Sequence, residues 1–556
     1  MSKINVFALG GLGENGKNMV VVEVDDRIFV IDAGLKYPSV DLYGVDAVVP
    51  DINYLIENKD RIEGLFISHG HEDHIGAISY LLSNINIRVY GTHFTISLIE
   101  DFLTENNMNY EDYRLYRINE NKTLKFNNVI VSFYNTTHSI PESIAIALHT
   151  PDGVIVYCTD FNFNQNAPTR YKTSFEKITD LGKQNVLLLM AESIGAGIVN
   201  RSTTDYMFNY TVTNALNNAN GRVIVTAFST DLDRIQKIIN LAVDANRKIA
   251  IIGRKAQRII DIAMSSGYLK VPSENFINLK FIDEKNTNEF DDMVVIVTGV
   301  RHEPFYVLQR MIRKQDRLIH LNSNDSILMM TTPVPGTEKI AQRTIDMLNR
   351  EDISIEKIGK DILRSSHANN EDLKLLYSLL KPKYVLPIKG EYRHLIEQAK
   401  VAKDYGYDDN HIIIIENGQV VNIENGAVTG YSNVEVGDVL VDGSIIGDIN
   451  EVVLRDREVL AQEGAILVIS NISARNQEIL TGPEIVTKGF VYSDDKEELH
   501  NQIVTTFNKI ATNYLKKRAI DWNGFKKSLT DEISKIIYKA VHKRPIIIPV
   551  LIDTQV

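Results

Sequence analysis

His69-Gly70-His71-Glu72-Asp73-His74 gathers three imidazoles and the Asp73 carboxylate into six residues, in a chain of 556 residues that has only 13 histidines. The preceding stretch, Ile62 to Ser68, has an apolar Leu65-Phe66-Ile67 centre that reads as a buried strand. The cluster therefore sits on the loop leaving the strand's carboxyl end, where open α/β sheets place their sites. Imidazole and carboxylate suit zinc or manganese. The HxHxDH spacing lets two side chains face one ion while Asp73 and His74 face a second.

A zinc site wants about four ligands, so the cluster needs distant partners. Ser132 to Pro141 places His138 after a short strand, and Val154 to Asp160 ends another strand on a carboxylate. Alone, an Asp ending a strand reads as a turn former or helix cap, and a single His as a satisfied surface or core residue. In the order HxHxDH, His, Asp, the three segments resemble the metallo-β-lactamase superfamily. Leu9 to Asn18, Ile31 to Leu35, Gly44 to Asp46, Pro50-Asp51, Arg364 to Ala368, Lys381 to Tyr384, Gly390 to Arg393, Gly482 to Ile485 and Gly489 to Tyr492 narrow this to a resemblance to the ribonuclease J family. These matches run through essentially the whole chain. They imply an α/β fold: a metallo-β-lactamase αββα core, an inserted β-CASP α/β domain and a small C-terminal α/β domain. Gly10, Gly11, Gly13 and Gly16 do not complete a G-x-x-x-x-G-K-[ST] pattern and read as a turn between the first two strands.

Composition fits that class. The length allows about three domains, and 44% hydrophobic with 24% charged residues is ordinary for a globular protein. The single cysteine, Cys158, excludes an internal disulfide and a cysteine-based zinc ribbon. Met1 to Val6 enters a strand without a basic-then-apolar leader, and no apolar run approaches the ~20 residues of a membrane span, so the protein is expected to be cytoplasmic. A net charge of -12 argues against a generally basic nucleic-acid binder but leaves room for a local basic channel. Candidates for it are Arg247-Lys248, Arg254-Lys255 with Arg258, and Arg310 with Arg313-Lys314 and Arg317, each also readable as a solvated helix face.

Along the chain, residues 1–200 read as the first part of the core. A regular α/β alternation over 201–360 reads as the inserted domain, with Val223 to Thr226, Ile249 to Gly253, Val294 to Val297 and Leu318 to Leu321 as buried parallel strands. Residues 361–445 return to the core through a helix over Glu371 to Leu380 and a strand over Tyr384 to Ile388 that delivers residue 389 to the cleft. Residues 446–556 read as the C-terminal domain, ending in Pro545 to Val550. Its Lys496 to Lys517 helix has one apolar face suited to oligomer contacts.

The resemblance implies that His69, His71 and His138 take one metal, that Asp73, His74 and a C-terminal histidine take a second, and that Asp160 bridges them. The ion would be zinc, one or two per chain, or alternatively manganese or magnesium. It further implies that Glu192 orients a metal-bound histidine, and that His367 holds the scissile phosphate or assists the leaving oxygen. Ser365 would give a neighbouring phosphate hydrogen bond, and Asp73, Glu192 and His367 form the catalytic set. Position 389 departs, because Lys389 stands where the family has its metal-binding histidine. An ammonium has no lone pair, and at ~4 Å with an effective dielectric of ~20 it repels a dication by several kcal/mol. Either Lys389 loses its proton beside a metal, or its ammonium stands in for the second cation and binds phosphate. Val300 in Thr298 to Pro304, Thr159 before Asp160 and Ser366 before His367 also depart from the family pattern.

The expected function is that of a metal-dependent ribonuclease with 5′-to-3′ exonuclease and endonuclease character, in rRNA processing, RNA maturation and mRNA decay. Its RNA is expected to be 5′-monophosphorylated and its activity lowered by Lys389. The competing expectation is a second, catalytically impaired paralogue that serves as RNA-binding and structural partner of an active one. Homodimer, homotetramer and a heteromer with such a paralogue are all open, and a small-molecule hydrolase is disfavoured by His367 and the C-terminal domain.

Overall fold

Strands that are apolar on both faces dictate the architecture. Met19–Val24 and Val186–Glu192 are buried at every residue, which only a layer covered on both sides permits. The structure, a computed structural model, describes residues 2–39, 41–199, 205–253, 256–279, 292–299, 303–333, 337–351, 353–359, 362–363, 365–443, 445–447, 449–490, 496–517 and 519–554. It divides into two units, Met1–Tyr37 with Val48–Val439, and Pro38–Ala47 with Leu440–Val556.

The first unit contains two sheets packed face to face. The eight-stranded one runs, edge to edge, Ala427–Asn433, Gln419–Glu424, Lys3–Gly10, Met19–Val24, Arg27–Ile31, Ile62–Phe66, Arg88–Thr92 and Arg114–Ile118. The six-stranded one runs Tyr384–Ile388, Val186–Glu192, Gly153–Cys158, Ile144–Thr150, Val129–Asn135 and Thr123–Phe126. Their inner faces share one core, in which Phe29, Phe66 and Val22 meet Phe133, Ile155 and Leu188. Helices Ile78–Asn84 and His93–Glu105 cover the outer face of the larger sheet, and Phe175–Gly182, Asn370–Leu380 and Tyr392–Tyr405 that of the smaller. This is the expected αββα sandwich.

Parallel pairing is what builds a site at one edge. Arg27–Ile31 runs parallel to Ile62–Phe66, so Asp32 and the loop beginning at Ser68 leave the sheet together. In the other sheet Cys158 pairs with Ala191 and Glu192 with Ile388, all in parallel register. Asp160, Glu192 and Lys389, far apart in sequence, therefore emerge side by side.

Between these core segments lies an all-parallel sheet in the order Lys248–Ile252, Met293–Gly299, Val223–Phe228, Ser326–Met329, Ser354–Lys357. The reading of Leu318 to Leu321 as one of its strands is corrected: those residues form no strand, and Ser326–Met329 takes that place. Ile319 and Leu321 are buried, which accounts for their apolar character, but the His320 carbonyl accepts from the Arg222 guanidinium instead of a ladder N–H. Arg222 also grips both oxygens of Asp325, at 2.8 and 2.7 Å, with both side chains shut off from solvent.

In the second unit Ala465–Ser473 pairs in parallel with Ile546–Asp553 and antiparallel with Glu478–Lys488. Helices Lys496–Leu515 and Trp522–Val541 cover one face through Ile503, Phe507 and Ala511, and through Phe525, Leu529 and Ile533. The four-residue spacing is that of a single helical stripe. Among the described residues, no helix is long and apolar enough to cross a membrane.

Removing Arg222 would strand Asp325 as a buried, unpaired carboxylate. Arg222→Ala is therefore expected to cost the inserted sheet about 3–5 kcal/mol. Hydrogen exchange in Val223–Phe228 and Ser326–Met329 checks this, and unchanged protection would show that the pair carries none of the sheet's stability.

Candidate metal centre

Three side chains at the sheet edge leave backbone in the left-handed region: Asp32 (φ 61°), Asp160 (φ 47°) and Lys389 (φ 53°). Each lies just past a strand end, and each is almost wholly buried. Non-glycine residues pay for that conformation, so surrounding contacts must hold them there.

Asp32 accepts from the Ser68 amide (2.8 Å), the Ser68 hydroxyl (2.9 Å), the Tyr157 hydroxyl (2.8 Å) and His74 Nδ1 (2.7 Å). With its proton on Nδ1, His74 turns a bare Nε2 inward. The Asp32 loop also zips onto the histidine loop, through Ala33 N to His74 O and Leu35 N to Glu72 O. Gly34 permits this approach, since a Cβ there would lie 1.7 Å from the Asp73 carbonyl oxygen. The Asn18 amide donates to that same carbonyl (2.8 Å) and to Asp73 Oδ2 (3.3 Å).

His69, His71, His138 and Asp160 converge. His71 Nδ1 lies 3.1 Å from both His69 Nε2 and His138 Nε2, and Asp160 Oδ2 lies 3.1 and 3.6 Å from those two nitrogens. Four ligands at tetrahedral Zn–N distances would be separated by about 3.3 Å, so the donor set fits such an ion. Protonation fits as well. Burial lowers all three imidazoles below their ordinary value, His71 to about 3, which leaves neutral rings with lone pairs. The His138 ring is oriented by Nδ1, which donates to the Ser366 carbonyl at 3.0 Å. Bare nitrogens this close to one another call for a cation between them.

The second group, Asp73, His74 and Asp160, does not fit a further metal in the same way, because Lys389 already fills it. The Lys389 ammonium lies 2.8 Å from Asp73 Oδ2 and 2.8 Å from His74 Nε2, and donates to Asp160 Oδ2. Three donors meet three acceptors. Burial would lower the Lys389 pKa, but Asp160 and Asp73 outweigh it and raise it. Burial would raise both aspartates, and Lys389 outweighs it and holds them well below the usual carboxylate range. The amine in this arrangement is protonated.

The third group is Asp160, Glu192 and His367. Glu192 Oε2 accepts from His367 Nδ1 at 2.6 Å, while its Oε1 accepts from the Phe161 and Ala368 amides at 2.7 and 3.2 Å. The expectation that Glu192 orients a metal-bound histidine is corrected here: it orients His367. Burial alone would lower the His367 pKa, yet Glu192 and Asp160 outweigh it and lift it to about 10. The ring therefore carries a charge into the cleft. It does not cap the neighbouring helix, since Asn369 does, in a capping box with Asp372. Ser365 is exposed, and its hydroxyl closes a turn with the His367 amide and carbonyl.

All the expected site residues thus meet around Asp160 except Ser365, which lies at the rim. Asp32, Tyr157, Ser68 and Asn18 were given no role from the sequence, although Asp32 and Asn18 fall in quoted motifs. The basic clusters form no channel of free cations among the described residues. Arg247 donates to the Gly221 and Ala219 carbonyls, Arg258 pairs with Asp101, and Arg310 pairs with Asp316. Arg254, Lys255 and Val300 lie outside the described residues.

Four family descriptions match the chain: "Metallo-beta-lactamase superfamily" over residues 12–191, "Ribonuclease J, beta-CASP domain" over 220–348, "Zn-dependent metallo-hydrolase RNA specificity domain" over 360–414, and "Ribonuclease J C-terminal domain" over 452–554. Proteins named ribonuclease J 2 from Staphylococcus epidermidis and Staphylococcus saprophyticus are each 36% identical to it, and one from Staphylococcus aureus is 35% identical. Each alignment covers 99% of this chain and 98% of the relative. A solved structure of a protein of unknown function from Enterococcus faecalis shares the fold, with a TM-score of 0.54 and 16% identity, over 76% of this chain and 100% of the other.

The site predicts its own stoichiometry. After dialysis against zinc, elemental analysis should find about one tightly held ion per chain, because only one group offers a full set of open ligands. His138→Ala should lose it. Two equally tight ions in the unaltered chain would overturn this reading of Lys389.

Proposed function

The chain belongs to the ribonuclease J family, and we propose from that premise that it is a metal-dependent ribonuclease, with 5′-to-3′ exonuclease and endonuclease character, in RNA maturation and mRNA decay. Zinc is the proposed ion, held by His69, His71, His138 and Asp160. The observation that carries the proposal is the juxtaposition of these neutral ligands with the His367 imidazolium, linked through Asp160 and Glu192. A divalent ion bound there supplies Lewis-acid polarisation of phosphate and water.

The protein's own groups do the rest. Glu192 fixes the tautomer and direction of His367, whose charged ring is half-buried and can reach a phosphate oxygen at the cleft. The same ring holds a proton that it can give to the leaving oxygen. Lys389 neutralises Asp73 and Asp160 and locks their side chains, but an ammonium cannot accept an electron pair from a substrate oxygen. The site therefore works with one Lewis acid where its architecture has room for two, and turnover is lowered accordingly.

That triple engagement of Lys389 also favours a second reading, in which the chain is an impaired paralogue that lends RNA-binding surface to an active ribonuclease J. The C-terminal unit offers a place for such pairing, or for a homomer: Leu480, Ile548 and Ile552 are exposed on its strands.

Lys389→His restores an imidazole to the second group. It is expected to raise bound metal toward two per chain and to raise single-turnover RNA cleavage at least about tenfold, a change of about 1.4 kcal/mol in barrier. A second ion without faster cleavage would place the limit elsewhere. His367→Ala should reduce cleavage far more than RNA affinity, because affinity comes from distributed backbone contacts. Parallel losses at fixed salt would make His367 a binding residue only, and cleavage-free purified homomer would favour the partner reading.

A further inference from the structure

Past His138 and Ser366 the cleft continues along Tyr171, Asp205, Asp231, Asp233, Arg234 and Lys237. Tyr171 is only 7% exposed, yet its hydroxyl has no hydrogen-bond partner among the described residues. A buried hydroxyl left unpaired costs on the order of 1–3 kcal/mol. Its phenol is pushed up by burial and further by Asp233 and Asp231, so it remains an O–H that can both donate and accept.

The charges around it are not those of a phosphate site. Lys237 is shared by Asp205 and Asp233, at 3.1 and 2.8 Å. Arg234 pairs with Asp231 at 3.0 Å, and its amide is also accepted by the Asp231 side chain at 3.3 Å. Three carboxylates thus face two cations among the described lining residues, and both cations are engaged by protein. A wall with this balance repels an anion and attracts N–H and O–H donors. Ribose hydroxyls and the N–H groups of a base are such donors, and a carboxylate accepting from a base amine is a familiar mode of readout. An amide face at Asn162 and Asn164 completes the lining.

We propose that this cleft binds the nucleoside part of an RNA chain, its ribose hydroxyls and base N–H groups, and disfavours a 5′-phosphate. The chain then selects RNA by sugar and base next to the scissile bond. This runs against the 5′-monophosphate preference that the family resemblance implies. It deepens the ribonuclease reading and rests on it for the identity of the ligand.

Equilibrium binding to the metal-free, full-length protein tests it, with adenosine, guanosine and cytidine against their 5′-monophosphates at one fixed ionic strength. At least one nucleoside should bind as tightly as its monophosphate or more tightly. Tyr171→Phe, which removes only an unpartnered oxygen, should weaken that nucleoside about five-fold without lowering thermal stability. Asp233→Asn, which frees Lys237, should move the preference toward the monophosphate. A monophosphate that outcompetes its nucleoside in the unaltered protein, absence of nucleoside binding, or indifference to Tyr171→Phe would each overturn the proposal. Since no metal is present, nucleoside binding by a protein that fails to cut RNA would remove the ribonuclease reading while leaving the cleft, and cleavage without nucleoside binding would do the reverse.

Discussion

Asp160 is the point on which the rest of the centre depends. It is 1% exposed, with Lys389 donating to one oxygen, His69, His74 and His138 within 3.1–3.6 Å of that oxygen, and His367 3.5 Å from the other. A carboxylate so deep must have positive charge beside it, because an uncompensated buried ion costs several kcal/mol. Metal-binding folds of this kind meet that demand with ions that come and go. Here part of the compensation is covalent: the ammonium of Lys389 arrives with the chain, from a strand end locked by five buried residues. Asp73 and Asp160 are consequently held in ionised form before any metal binds, and the ligand cage is formed by folding.

The strain at Asp32, Asp160 and Lys389 belongs to the same logic. Strand residues alternate between faces, so a side chain needed in the plane of the edge must come from a residue whose backbone has turned. The left-handed conformation achieves that turn in one step, and the cost is met by the contacts each side chain makes: four hydrogen bonds at Asp32 and three at Lys389.

How far the sequence could be read follows from the range of the interactions. The histidine loop was legible because its ligands are local and its strand is apolar. The sandwich was legible because alternation of strands and helices repeats over hundreds of residues. The substitution at position 389 was legible as a departure, but not its consequence, since nothing local tells that Nζ meets Asp73, His74 and Asp160 at once. Asp32 and Asn18 were seen as motif residues without a task, because their partners lie 42 and 55 positions away. Glu192 was given the wrong histidine for the same reason: His367 lies 175 positions further on. Leu318 to Leu321 misled by hydrophobicity, which reports burial and says nothing of whether the backbone joins a ladder. The basic clusters misled in the opposite direction, since Arg247 and Arg258 spend their charge inside the fold.

Charge balance then bears on how an acidic chain can approach RNA. Asp73, Asp160 and Glu192 contribute three negative charges to the centre, and Lys389 with the His367 imidazolium contributes two positive ones. Without an ion the centre is short of one positive charge, and with one divalent ion it carries one in excess. Had a second dication stood where Lys389 stands, the excess would be two. The lysine therefore halves the local attraction for phosphate. With a net charge of -12 on the whole chain and carboxylates along the adjoining cleft, electrostatics alone gives little hold on an RNA backbone away from the centre. Contacts to sugar and base have to supply what the missing charge does not, which is the role the cleft beside Tyr171 is shaped to fill.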